Sequence, residues 1–260
     1  MKTLKFWALS LILGFAAIGE VFSATRHKKS PLLASLAGQQ LLETIQKLKA
    51  SNGLNCAFIF DLKTTVGKKT ERKEGKFYAQ QNSNEIKLRF NFGNHSFLAL
   101  GKSDDEIFCS EKSIKMTLDM PIQREHLLSF SDILLPFLDE KSCEYRHSKR
   151  VQGRNTHIIR FKEMTGRLID IAYDPGFEAI LQIEYFDEKE KLLRTFKLLN
   201  FKKAQGMWLM KSIEIKDIPN NTTTQLTIKK VAIGQAIPSN IFDKNGLEKP
   251  PVDNLVYTNF

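Results

Sequence analysis

Only three cysteines, eight prolines and one long apolar run occur in this 260-residue chain, and each scarcity excludes something. Cys56, Cys109 and Cys143 allow at most one internal disulfide, from three pairings, with one thiol left over. Three cysteines cannot be the main scaffold of so long a domain, so an apolar core must hold it. No Pro/Ser/Gly-rich stretch divides the chain, which predicts a single domain over residues 25–260. No second long apolar stretch follows the first, so the mature chain is expected to be soluble. Signatures of catalysis are equally scarce. Gly101-Lys102-Ser103 has Ser96 where a phosphate-binding loop needs glycine, and neither G-x-S-x-G nor H-E-x-x-H occurs. His95, His126 and His157 stand alone. Cys143 and His147 are four apart, the spacing of two metal ligands on a helix, but no second pair completes a zinc set. Asp104-Asp105-Glu106, Asn94-His95-Ser96 and Asn220-Asn221-Thr222 read as turns. The chain is therefore expected not to be an enzyme and to carry no cofactor and no metal.

What the sequence does contain begins with an export signal. Lys2 and Lys5 precede an apolar run from Phe6 to Ile18, and Val21-Phe22-Ser23-Ala24 offers small residues for cleavage. The run is shorter than the roughly 20 residues of a spanning helix, and Glu20 interrupts its end. Residues 1–24 are expected to be a cleavable signal peptide. No cysteine lies at the cleavage region to carry a lipid there. Removing Lys2, Lys5 and Glu20 takes the formal charge from +10 to +9. Export argues against nucleic acid as the partner of that charge. The basic residues lie in scattered pairs such as Lys68-Lys69, Lys149-Arg150, Lys202-Lys203 and Lys229-Lys230, mostly expected on solvated faces and turns.

The mature chain is predicted to open with a helix. Ser30 can cap it, Pro31 suits its first turn, and Leu33, Leu36, Ala37, Leu41, Ile45 and Leu48 form one apolar stripe before Gly53. From Cys56 the period changes to two. Phe58 and Phe60 alternate, as do Ile86, Leu88, Phe90 and Phe92, with Lys87, Arg89 and Asn91 expected on a wet face. Further strands are predicted at 97–100, 106–110, 113–118, 156–161, 167–173, 180–186, 193–201, 208–215 and 223–233. Asp174-Pro175-Gly176, Asp187-Glu188-Lys189, Gln205-Gly206 and Pro219-Asn220-Asn221 separate several of them, which implies an antiparallel meander. Between the strands, residues 123–138 are unusually apolar. They are predicted as one or two short helices broken at Pro136, a lid over the sheet. The predicted fold class is mainly β (α+β), one large curled sheet with an N-terminal helix and a short helical lid.

Nineteen phenylalanines, about 7% of the chain, are on the high side for ordinary overall hydrophobicity. Singly each is a core residue. As a set, on one curled sheet under a lid, they could line more apolar space than they fill. Acyl chains would suit that space, since each buried CH₂ contributes about 0.8 kcal/mol.

The stretch from Tyr173-Asp174-Pro175 to Phe242 carries a family resemblance. It runs through Ile180-Leu181-Gln182-Ile183-Glu184-Tyr185-Phe186-Asp187, Leu193-Arg194-Thr195-Phe196, Phe201-Lys202-Lys203 and Gly206-Met207-Trp208-Leu209. Lys211-Ser212-Ile213-Glu214-Ile215 and Leu226-Thr227-Ile228 follow, then Pro238-Ser239-Asn240-Ile241-Phe242. In order, these resemble the LolA-like superfamily of periplasmic lipoprotein carriers and outer-membrane lipoprotein-sorting proteins. Residues 131–138 look like its central helical region. The resemblance implies a half-open antiparallel β-barrel capped by helices, working in the periplasm as a carrier. Its cargo would be an acylated lipoprotein or lipid, handed between membrane-associated donor and acceptor proteins, with no cofactor and no nucleic acid. Phe58, Phe60, Phe90, Phe92, Ile183 and Tyr185 are the expected cavity residues, and Leu134, Leu135, Phe137 and Leu138 the expected lid. The alternative is a non-catalytic cell-envelope protein-interaction module with a filled core; an envelope hydrolase with a dispersed site ranks third.

Overall fold

The structure, a computed structural model, describes residues 39, 41, 55–81, 86–92, 95–101, 106–109, 121–123, 126–129, 143–163, 166–177, 179–204, 207–247 and 249–260. Fifteen strands occur among them: β1 Asn55–Val66, β2 Lys69–Gln81, β3 Ile86–Phe92, β4 His95–Gly101, β5 Glu106–Cys109, β6 Pro121–Gln123 and β7 His126–Ser129. Then come β8 Glu144–Val151, β9 Arg154–Lys162, β10 Leu168–Asp174, β11 Ala179–Phe186, β12 Leu192–Ala204, β13 Met207–Asp217, β14 Thr222–Ile233 and β15 Thr258–Asn259. The mainly β class and the antiparallel order agree with the sequence. The described residues form two compact units, one of residues 55–129 and 222–260, the other of residues 143–221 with Gln39 and Leu41.

In the first unit the strand order is β5-β4-β3-β2-β1-β14, β15 pairs with β14, and β6 and β7 form a separate hairpin. β1 and β2 are joined at Gly67-Lys68, and their ladder runs unbroken from Asn55/Gln80 to Val66/Lys69. β2 was not anticipated, because Lys69–Glu74 shows no apolar alternation; its long ladder with β1 holds it as a strand. The chain after β14 crosses one face of the sheet through two short 3₁₀ turns, Ser239–Phe242 and Lys244–Gly246.

The second unit is a meander in the order β13-β12-β11-β10-β9-β8. β8 and β9 meet in a two-residue turn whose central residues, Gln152 (φ 49°) and Gly153 (φ 80°), are both left-handed, the geometry that matches strand twist. At the predicted Asp174-Pro175-Gly176 turn the Asp174 carboxylate accepts the Gly176 N–H at 2.9 Å. At the next turn Asp187 accepts Lys189 N and Lys191 N. Asp217 likewise accepts the backbone and side-chain nitrogens of Asn220.

The Cys143/His147 spacing, already set aside from the sequence, brings nothing together, and one expectation needs correction. Cys143 and His147 do not share a helix: Cys143 precedes β8 and His147 lies on it, exposed. His126–Ser129 is a strand, although residues 123–138 were predicted as helical. A short apolar run such as Leu127-Leu128 satisfies either period, and length alone cannot decide it. The lid residues Leu134, Leu135, Phe137 and Leu138 lie outside the described residues, as does residues 1–24. Of the predicted N-terminal helix, Gln39 and Leu41 are described; both are helical, and Leu41 is fully buried.

Candidate functional site

Strand parity gives the first unit two different faces. On one, Phe58 of β1 stands opposite Phe77 of β2, Phe77 opposite Phe90 of β3, and Phe90 opposite Phe97 of β4. Phe58 and Phe77 stack with ring centroids 5.9 Å apart, and Phe77 and Phe90 approach to 4.4 Å. Phe60 meets Phe90 edge-on at 6.4 Å. Such pairs add about 0.5–1.5 kcal/mol each beyond their area. Phe60 can lie across β2 because its partner there is Gly75. A Cβ on Gly75 would stand 2.5 Å from the Phe60 ring and 2.6 Å from the Asn91 carbonyl oxygen. Phe58, Phe60, Phe77 and Phe90 are at most 2% exposed, and Phe97 is 6% exposed.

The opposite face belongs to the chain's own C-terminal segment. Ala57, Tyr78, Leu98 and Ala232 of the sheet pack there with Ile237, Ile241, Phe242 and Leu247. Arg89, predicted to be wet, is fully buried and clasps this strap. Its guanidinium donates to the carbonyl oxygens of Ile241 (2.8 Å), Gly246 (3.0 Å) and Lys249 (2.8 Å), and to Asn91 Oδ1 (3.1 Å). Burial pulls the Arg89 pKa below its usual value, yet an arginine stays charged inside proteins, so all four bonds are charge-assisted. A second latch sits at Asp253, whose Oδ2 accepts from Tyr78 Oη, Tyr257 Oη (3.3 Å) and Lys76 Nζ (3.0 Å). Burial pushes the Asp253 carboxyl up, but the Tyr78 and Lys76 bonds outweigh it and hold it below the ordinary value. Burial and the same carboxylate push both tyrosines up.

In the second unit one face is apolar through Ile159, Phe161, Ile169, Ile171, Ile183 and Phe196, all essentially buried. Ile183 is opposite Ile171 and Phe196, and the Tyr185 ring lies 5.4 Å from that of Phe196. The other face carries a charge ladder. Arg160 makes a two-pronged bond to Asp170 (2.6 and 2.8 Å) and reaches Glu190 (2.7 Å), and Lys197 and Lys216 flank Glu214. An open groove of about 670 Å³ at the edge of this face is lined by charges, including Glu144, Arg146, Lys162 and Glu188, which does not suit an apolar ligand.

The predicted cavity residues can now be placed. Phe58, Phe60 and Phe90 come together in one aromatic cluster of the first unit. Phe92 pairs in the backbone with Gly75 and His95, in register with that face; its side chain lies outside the description. Ile183 and Tyr185 share the apolar face of the second unit and are 0% and 8% exposed. Phe77, the centre of the cluster, was missed along with β2; its signal was the Phe77/Ala79 alternation after the charged run. Arg89 and Asp253 left no local signal, because the groups they hold are distant in sequence.

Among the described residues no three His, Cys, Asp or Glu side chains gather as a metal site. Cys56 and Cys143 are free thiols, and burial pushes both up in pKa. His157 contacts Ser148 at 3.3 Å, but the two are register partners across β8 and β9, so pairing alone accounts for the contact.

Comparison with known proteins bears on the fold. A family model described as "Uncharacterized protein" matches residues 125–249, just under half of the chain. A search of curated proteins gives no significant match. Among solved structures, a DUF1329 family protein from Desulfovibrio piger superposes with a TM-score of 0.70 at 14% identity, covering 81% of this chain and 98% of its own. A domain described as an outer membrane lipoprotein-sorting protein, from Vibrio parahaemolyticus, gives 0.69 at 13% identity, covering 83% and 100%. A LolA superfamily protein from Nitrosomonas europaea gives 0.60 at 13% identity, covering 80% and 98%. This chain therefore has the fold shared by LolA-superfamily and lipoprotein-sorting structures, the resemblance already legible in its sequence.

Proposed function

We propose that this protein is a periplasmic carrier that takes up acyl chains of lipoproteins or lipids in the apolar interior of a half-open barrel, as part of outer-membrane lipoprotein sorting. One observation carries the reading. The first unit covers one sheet face with its own C-terminal strap, while the other face is a continuous aromatic surface of Phe58, Phe60, Phe77 and Phe90. Acyl chains match such a surface, with about 0.8 kcal/mol for each CH₂ removed from water. The likeness in fold to a lipoprotein-sorting domain supports the same class of cargo. On this reading residues 1–24 direct export, residues 25–260 work as one domain, and membrane-associated partners donate and accept the cargo. The protein needs neither cofactor nor catalytic residue. Because the aromatic face is buried at rest, uptake requires the covering segment to move, and Leu134, Leu135, Phe137 and Leu138 are the proposed lid.

The test is binding of an acylated peptide against the same peptide without its acyl chain. Saturable binding of the acylated form alone is expected, with Leu135→Glu impairing uptake in a protein that remains folded. Equal binding of both peptides refutes the carrier reading. The near-complete burial of the candidate residues favours a second reading, a non-catalytic cell-envelope interaction module with a filled core. That module predicts no uptake of acyl chains and partner binding that weakens with salt.

A further inference from the structure

The antiparallel order of the second unit brings three connections to one end: the β8–β9 turn at 151–154, the β10–β11 turn at 174–179 and the β12–β13 turn at 204–207. That end is cationic. Arg150 and Arg154 are exposed beside the first turn, and Lys202 and Lys203 are exposed beside the third. Among its described residues the one carboxylate is Asp174, which is buried and ion-paired with Arg154; Glu178 adds a second in the sequence. At the other end the turns mix signs, with Asp187, Glu188 and Glu190 interleaved with Lys189 and Lys191, and Glu163 paired with Arg167. Charge is thus segregated along the unit.

The cationic end also carries Phe177, 55% exposed on the middle turn. The Arg154 guanidinium lies over its ring at 3.6 Å, and Asp174 anchors that guanidinium from below. The first turn is tied to strands β11 and β12. The β11–β12 ladder stops at Gln182/Lys197, and beyond it the Gln152 amide donates to the carbonyl oxygens of Leu181 (3.0 Å) and Leu198 (3.1 Å). An exposed aromatic stacked on Arg154, at the same end as three further exposed cations spread over separate turns, fits a broad, anionic, partly apolar partner.

We propose that this end docks on an anionic phospholipid surface. Arg150, Arg154, Lys202 and Lys203 meet headgroup phosphates, and the Phe177 ring enters the interface where aromatic side chains are favoured. This goes beyond the carrier reading and does not depend on it, since a protein with a filled core could dock in the same way.

The test is cosedimentation of the full-length gene product, as it accumulates in cells, with vesicles of phosphatidylcholine alone or mixed with phosphatidylglycerol. Wild type and variants carry the same N-terminal residues, so differences between them report on the mutated end. Wild type is expected to bind the phosphatidylglycerol vesicles at low salt, to release at high salt, and to bind the neutral vesicles far more weakly. K202Q/K203Q should weaken binding on the order of 25-fold, about fivefold per cation. Phe177→Ser should weaken it several-fold, and Phe177→Trp should restore it. K189Q/K191Q, at the other end, should leave it unchanged. Equal binding to both vesicle types, or an equal loss in K189Q/K191Q, overturns the proposal. Vesicle binding that depends on the lysines and ignores Phe177 overturns the insertion of the ring into the interface.

Discussion

The two units treat the second face of their sheets, the one away from the aromatic or aliphatic stripe, in different ways. In the second unit the polar face pairs its charges across strands without a covering strap: Arg160 with the buried Asp170, and the part-exposed Lys197 and Lys216 with Glu214. In the first unit the equivalent face is covered by the C-terminal strap, so a cation on it, Arg89, loses water and takes backbone carbonyls instead. Covering a face thus turns a surface charge into a structural clasp. It also leaves the aromatic face of the first unit as the one on which cargo can be proposed.

The comparison is broken most sharply at the clasp. Arg89→Met removes the cation and leaves three strap carbonyls without their donor, and should cost about 3–5 kcal/mol in urea-induced unfolding. Lys216→Met, on the charge-ladder face, removes an exposed partner of Glu214 and should cost less, at most about 1 kcal/mol. Equal losses at both sites would remove the distinction between covered and uncovered faces. On the aromatic side, Gly75→Ala places a methyl group against the Phe60 ring and the Asn91 carbonyl, and should cost about 1–3 kcal/mol by overpacking. The smallest effect lies at the second latch and depends on pH. The folded-state pKa of Asp253 is depressed, so its contribution is fully present above the ordinary carboxylate value of 3.8 and is lost as pH falls through the lower folded-state value. A wild-type melting temperature that falls more steeply below about pH 4 than that of Asp253→Asn is the expected outcome.

The second unit was the more legible of the two in the sequence. β10 to β13 alternate or run apolar between turns whose residues carry their own chemistry, as at Asp174-Pro175-Gly176 and Asp187. Strand ends there were placed within three residues, and the end of β11 at Phe186 was placed correctly. β8 was missed because it lies at the edge of the order and its residues are mostly exposed, so no dry stripe marks it. β2 was missed for the opposite reason: its N-terminal half is charged, and its pairing with β1 decides it. Of the proposed site, alternation identified Phe58, Phe60, Phe90, Ile183 and Tyr185 as residues on the dry faces. The clasp was illegible, because Arg89 reads as a wet-face residue until a segment some 150 positions later lies over it.

The central claim, that an acyl-bearing molecule occupies this fold, is tested most directly by native mass spectrometry of the protein purified from a bacterial periplasm, followed by lipid extraction. The account predicts an added mass near one acyl-bearing molecule per chain, recovered and identified in the extract. A bare protein that also refuses added lipid and acylated peptide would contradict it.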